Sequence, residues 1–248
     1  MNVVKIVIAL IILAIVSVAI YFIVKKVKDS KKTKLVGSLH NGKVPFVVKS
    51  KDIPKSEYGN EYTVNFWFYM NDWEYRDNKP KCILFRGDKD ATSTSPGIWF
   101  FPKHSNLKIS FQLQSEKPAD NENLPSSSCP NSMNPINNPD MLKQHRGSCN
   151  VKHIPLQRWN NVSISLWNQT IDVYLNGRLV RSCVMPEYPV PSSGDIYVSH
   201  FGGFNGYISN LQYFASTLNS NQIQSIYKKG PNLTFASDKN KSEEDKKE

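Results

Sequence analysis

Cysteine and histidine are scarce, with four and five residues in a chain of 248. Cys82, Cys129, Cys149 and Cys183 include no C-x-x-C pair, so the spacing of a zinc site is missing. His40, His104, His145, His153 and His200 are scattered, with no H-E-x-x-H among them. There is no G-x-S-x-G and no P-loop either. With none of the usual catalytic constellations in place, the chain reads as a non-enzyme. Acidic residues are the minority charge, 21 against 31 lysines and arginines. The surplus does not point to nucleic acid, because six of the lysines crowd into residues 25–34 and no basic block follows. Long apolar runs are absent after residue 24.

The one apolar run that exists is Ile6 to Val24, followed by Lys25, Lys26, Lys28, Lys31, Lys32 and Lys34. A helix rising about 1.5 Å per residue would carry that run across a bilayer core of roughly 30 Å. The run ends in Tyr21-Phe-Ile-Val24, without the small residues of a signal-peptidase site. The expectation is a single transmembrane helix at 6–24 and single-pass membrane localisation. The lysines after the span favour a cytosolic domain. Four N-x-S/T sequons, at Asn161, Asn168, Asn232 and Asn240, pull the other way, and sidedness stays open.

From residue 62 the periodicity is two. Tyr62, Val64, Phe66, Phe68 and Met70 alternate with Thr63, Asn65, Trp67 and Tyr69, both rows bulky, as in a central strand covered on two sides. Leu107, Ile109, Phe111 and Leu113 alternate with polar residues, the mark of a half-exposed strand. Strands are also expected at Cys82–Phe85, Gly97–Phe101, Val162–Leu166, Ile171–Leu175, Arg178–Val184, Asp195–Ser199 and Tyr207–Phe214. Asn176-Gly177 is a hairpin signal, since a type I′ turn needs positive φ at both central residues. One short helix is expected late in the chain, capped by Asn219 with Gln222 in the capping-box position and ended by Gly230-Pro231. The fold class is all-β, an antiparallel two-sheet sandwich with one short C-terminal helix, preceded by a transmembrane helix. The divisions are 1–5 as a short end, 6–24 as the span, 25–57 as juxtamembrane linker, 58–231 as the domain with a 115–148 loop insertion, and 232–248 as a disordered charged tail.

Several blocks in order carry a resemblance: Tyr62-Thr-Val-Asn-Phe-Trp-Phe-Tyr-Met-Asn-Asp-Trp73, Pro96-Gly-Ile-Trp-Phe100, Ile154-Pro-Leu-Gln-Arg-Trp159, Ile171-Asp-Val-Tyr-Leu-Asn-Gly-Arg-Leu-Val180 and Gly202-Gly-Phe-Asn-Gly-Tyr-Ile-Ser-Asn-Leu211. Together they resemble the laminin-G-like, concanavalin-A-like lectin/glucanase jelly rolls, and with the anchor they are similar to membrane-anchored versions encoded by large DNA viruses. The resemblance implies two packed antiparallel sheets and binding of glycan or protein through edge loops, often with calcium. Glycosidases of this superfamily need paired carboxylates on one strand, as in E-x-D-x-x-E, and no strand here carries that motif. Trp67 and Trp159 are large enough to fill the gap between two sheets about 10 Å apart.

Candidate sites follow from residue chemistry. Trp73 and Tyr75, in an Asn/Asp-rich stretch, and His200, Phe201 and Phe204, around a glycine loop, are candidate glycan-contacting aromatics; core edge is the competing role. Asp88, Asp90 and Asn205 are candidate calcium ligands; solvated turn residues are the alternative. Arg86-Gly87-Asp88 spells a tripeptide that integrins read, a match without context. The four cysteines allow three pairings, with buried reduced thiols equally open; Cys149–Cys183 is the pair expected if the domain lies in an oxidising compartment. The functional expectation is a membrane-anchored recognition or adhesion module for glycan or protein, with no nucleic acid. The alternative is a structural virion or membrane protein that uses the jelly roll for protein–protein assembly.

Overall fold

Bulky residues on both faces of Tyr62–Met70 demand cover on both sides, and the computed structural model places that strand in the middle of a sheet. Residues 8, 10–21, 32–56, 60–91, 94–114 and 147–235 are described. In chain order the strands are β1 (Lys32–Val36), β2 (His40–Asn41), β3 (Phe46–Val48), β4 (Tyr62–Met70), β5 (Lys81–Gly87), β6 (Thr94–Phe100), β7 (Leu107–Ser110), β8 (Ser148–Val151), β9 (Trp159–Trp167), β10 (Thr170–Leu175), β11 (Arg178–Val184), β12 (Asp195–Val198) and β13 (Gly206–Phe214). A seven-stranded sheet runs β1-β13-β4-β9-β10-β11, with β2 also on β13, and a six-stranded sheet runs β3-β12-β5-β6-β7-β8. Every pairing within the two sheets is antiparallel.

The core lies between the sheets. Phe66, Phe68, Ile164 and Ile208 from one face meet Leu84, Ile98, Phe100, Ile109 and Val198 from the other. Phe68 and Phe100 touch edge-to-face across the layers, with ring centroids 5.2 Å apart. Each such buried side chain contributes roughly 1.5–3 kcal/mol. Asn176 and Gly177 both take positive φ, 51° and 77°, and turn β10 into β11. The late helix, Ser220–Tyr227, has the reciprocal capping box of Asn219 and Gln222.

Sequence-based expectations fail at five places. No helix among the described residues is long and apolar enough to cross a membrane. The described helical residues near the N-terminus are 8 and the stretch 10–21, α1, which makes Ser220–Tyr227 α2. Single-pass membrane localisation is therefore corrected; residues 6, 7, 9 and 22–24 lie outside the described residues. The linker 25–57 instead supplies β1, β2 and β3, two of which form sheet edges. Short edge strands interspersed with lysine carry little hydrophobic signal.

The strand at Leu107 is not half-exposed, because Lys108 and Ser110 are buried along with Leu107 and Ile109. Neither Trp67 nor Trp159 fills the gap between sheets. Trp67 faces outward from β4 and stacks on Tyr227 of α2, centroids 5.4 Å apart; Trp159 meets Tyr69 on the same outer face at 5.7 Å. Register decides this, since the inward row of β4 is Phe66, Phe68 and Met70. Finally, the start of the 232–248 segment is ordered. Asn232 Nδ2 donates to the Gly37 carbonyl at 2.6 Å, and Phe235 bridges to Leu39. Residues 236–248, Cys129 and most of the 115–148 insertion lie outside the described residues.

Candidate functional site

One end of the sandwich gathers the loops that follow β2, β4, β6, β8 and β12. The registers require it. Met70 at the end of β4 faces Gly206 at the start of β13, Lys81 at the start of β5 faces Phe100 at the end of β6, and Leu107 at the start of β7 faces Val151 at the end of β8. Turns of alternate strands must therefore share a rim.

Side chains tie these loops together. Tyr75 donates its hydroxyl to the Gly202 carbonyl at 2.9 Å, joining the β4–β5 loop to the glycine loop. Asn205 Nδ2 donates to Asp72, and the Asn71 N–H donates to the Asn205 carbonyl at 2.9 Å. Trp73 Nε1 donates to the Pro102 carbonyl at 2.8 Å, adding the β6–β7 loop. Two glycines permit the closeness: a Cβ on Gly206 would collide with the Tyr69 carbonyl, and one on Gly203, at φ +50°, with that of Gly42.

Lysines close over the rim aromatics. Lys43 Nζ stands 4.5 Å from the Tyr75 ring centroid, and Lys81 Nζ the same distance from that of Trp73. Lys81 is wholly buried. Burial lowers its pKa from 10.5 to about 8, with Arg76 pressing the same way and Asp77 and Asp72 opposing. Beside Pro102 the rim opens into a cleft of about 500 Å³ lined by Lys103, His104, Ser105, Asn106, Lys152 and His153.

The sequence-derived aromatics thus separate into two groups. Trp73 and Tyr75 are half-buried at the rim. Phe204 belongs to the core, fully buried against Phe100. His200 and Phe201 turn onto the outer face of the six-stranded sheet, around Phe85. Phe85 stacks with Trp99, Tyr197 and Phe201 at 5.6, 4.9 and 5.7 Å. Phe85 and Trp99 are buried there, so this cluster is a second small core. Burial in it lowers the pKa of His200, whose Nδ1 has no hydrogen-bond partner among the described residues. Cys82 lies beneath, its thiol pKa raised by burial.

Asp88, Asp90 and Asn205 do not form one donor set. Asp88 follows Gly87, which pairs with Asp195 at the start of β12, whereas Asn205 comes after the other end of β12, beside Asn71 and Asp72. Asp90 lies within electrostatic reach of His200. Among the described residues no three His, Cys, Asp or Glu side chains gather to hold a metal. The three residues named for calcium therefore do not converge on one point. Arg86 points inward, donating to Tyr213 Oη at 3.0 Å and the Gly194 carbonyl at 3.2 Å, which takes it out of any exposed tripeptide. Cys149 and Cys183 are joined as a disulfide.

This fold has counterparts of known structure. The botulinum neurotoxin serotype D binding domain matches with a TM-score of 0.51 and 13% identity, over 80% of this chain and 42% of that one. A second structure of that serotype's ligand binding domain, in complex with N-acetylneuraminic acid, gives the same values. The receptor binding domain of the C/D mosaic serotype matches at 0.50 and 13%, over 80% of this chain and 46% of that one. The chain spans less than half the length of these structures, and at such identity the likeness is one of fold. No protein-family model and no curated protein matches the sequence.

Lys43, Lys81, Lys103, His104, Lys152 and His153 are rim residues that the sequence did not single out. The meeting of Lys103 and His104 with Lys152 and His153 depends on the pairing of β7 with β8, a four-residue strand following the long insertion, for which the sequence offers no alternation to read.

Proposed function

We propose that this chain is a non-catalytic recognition module that takes a glycan or protein ligand at its loop rim. The observation that carries this reading is the convergence of loops from both sheets, bonded to one another through Tyr75, Trp73 and Asn205, with an open cleft rich in hydrogen-bond donors next to Pro102, which Trp73 holds. A rigid scaffold that holds rim loops in place lowers the ordering cost of binding. Neurotoxin binding domains of the same fold, one of them determined with a sugar acid, support the reading. The test is a glycan array probed with the full-length chain and with Tyr75→Ala. Binding that falls roughly tenfold in the variant, with far-ultraviolet circular dichroism unchanged, is the expected result. Glycan binding indifferent to Tyr75 and its rim neighbours would sink the proposal.

A second reading, assembly through protein–protein contact, rests on a different surface. The edge strand β11 exposes Leu179, Val180 and Val184, and Trp167 lies in the same cross-strand row as Thr170 and Val184. Val184 is 75% exposed and Trp167 56%. Exposed apolar residues on an unpaired edge mark a surface that gains by being covered. Self-association abolished by Val184→Asp, with an empty glycan array, would favour it.

A further inference from the structure

We infer that the cleft between the β6–β7 and β8–β9 loops selects an anionic sugar, one bearing a carboxylate or sulfate, through Lys103, His104, Lys152 and His153. The inference rests on the reading of the rim as a glycan site and adds the charge class and the residues responsible.

Four of the six lining side chains are lysine or histidine, and the other two are Ser105 and Asn106. No carboxylate lines the cleft, and among the described residues neither lysine has an acidic partner. A site with two cations and no counter-charge lowers the cost of bringing in an anion. Serine and amide groups beside the cations suit sugar hydroxyls. The volume falls in the range of small-molecule sites, roughly 300–1,000 Å³. Four groups gathered at one point favour a single acidic residue over the extended phosphate track of a nucleic acid, whose affinity needs many spaced contacts.

The two loops are also built to stay where they are. The Ile154 N–H donates to the Ser105 carbonyl at 2.6 Å and the Asn106 N–H to that of His104 at 2.6 Å. His153, at φ +58°, donates its N–H to Asn106 Oδ1 at 3.1 Å. From the other side the Phe101 N–H donates to the Asn106 carbonyl at 3.0 Å. A left-handed conformation at a non-glycine residue, held by a side-chain acceptor from the opposite loop, keeps Lys152 and His153 facing Lys103 and His104. The backbone bonds fix where the four side chains start, which lowers the part of the ordering cost of binding that the loops would otherwise carry.

The experiment is titration of the full-length chain with 3′-sialyllactose, a sulfated heparin tetrasaccharide and neutral lactose. At least one acidic probe is expected to bind about tenfold or more tighter than lactose, and to weaken as NaCl rises from about 0.05 M to about 0.5 M. Lys103→Glu/Lys152→Glu should lose that preference. Lys228→Glu/Lys229→Glu, beyond the end of α2 and with the same change of charge, should keep it. Equal affinity for lactose and the acidic probes would overturn charge selection and leave the rim reading standing. So would a preference that survives in Lys103→Glu/Lys152→Glu or falls equally in the control. Absence of binding to every probe would overturn the selection of an anionic sugar, and an empty glycan array beside it would overturn the glycan reading of the rim as well.

Discussion

Lys81 occupies an unusual environment for a charged residue. It is fully buried, its ammonium lies over Trp73, and it donates to the Arg76 carbonyl at 3.3 Å. Its pKa falls from 10.5 to about 8, chiefly through burial. The sign of the pH effect follows. Between about pH 8 and pH 10.5 the unfolded chain still holds a proton that the folded chain has released, so stability rises with pH across that window. The rise from this group is at most roughly 3 kcal/mol at 1.36 kcal/mol per unit. Lys81→Met should remove it: urea denaturation of wild type and variant, compared at pH 7.5 and 10.5, should show the wild type gaining relative to the variant. Parallel pH profiles would mean that the ammonium is better solvated than its burial implies. Nothing in the pattern of β5 distinguishes Lys81 from an exposed strand-end lysine, because it meets Trp73, eight residues earlier, only once the β4–β5 loop has folded back.

At the scale of elements, α2 is legible and its packing partner is not. Asn219 and Gln222 cap it as the capping-box pattern requires, and Asn219→Ala should cost about 1 kcal/mol. What the helix covers emerges only in the fold. Tyr227 stacks on Trp67, and the outward face of β4 and β9 beneath carries a buried polar layer in which Asn65 Nδ2 donates to Ser163 Oγ at 2.7 Å. Trp67→Ala should lower stability by about 3–5 kcal/mol. In hydrogen exchange, the amides of α2 should lose protection before those of β5 and β6. Uniform loss throughout the domain would contradict the assignment of Trp67 to the outer layer and return it to the shared core.

For the whole molecule, the Cys149–Cys183 disulfide is the covalent link between the sheets, tying β8 of one to β11 of the other across 34 residues. Closing a loop of that length stabilises the folded state by about 4 kcal/mol in the chain-entropy account. Cys183→Ser, or reduction, should lower stability by about that amount. Cys82, buried with a raised thiol pKa, should resist alkylation until the domain unfolds. Rapid alkylation of Cys82 in the native state would mean that the aromatic layer over it opens. An effect of the disulfide near zero would mean that β8 and β11 are already held by the core alone. β8 also sets the register that unites the two halves of the basic cleft, so loss of the link should weaken ligand binding as well as stability.

Alternation and turn chemistry, which are local, were enough for the sequence to determine the central strands, the Asn176-Gly177 hairpin, the capped helix and the two-sheet class. The φ demands of a turn and the period of two are set within a few residues, whatever the rest of the chain does. Burial and proximity were not local. The short strands β1, β3 and β8 are strands because neighbouring strands accept them, and Trp67 faces outward because Phe66 and Phe68 take the inner row. Phe204 fills the core, while Trp73 and Tyr75 reach the rim, although all three are loop aromatics in the sequence. Asn205 meets Asp72 and not Asp88, because antiparallel β5 and β12 send the two ends of their loops apart. Lys103 and Lys152, 49 positions distant in the chain, face one cleft only because Leu107 pairs with Val151. The tertiary fold alone makes such neighbours, through hydrogen-bond register between strands that the sequence separates by a long insertion.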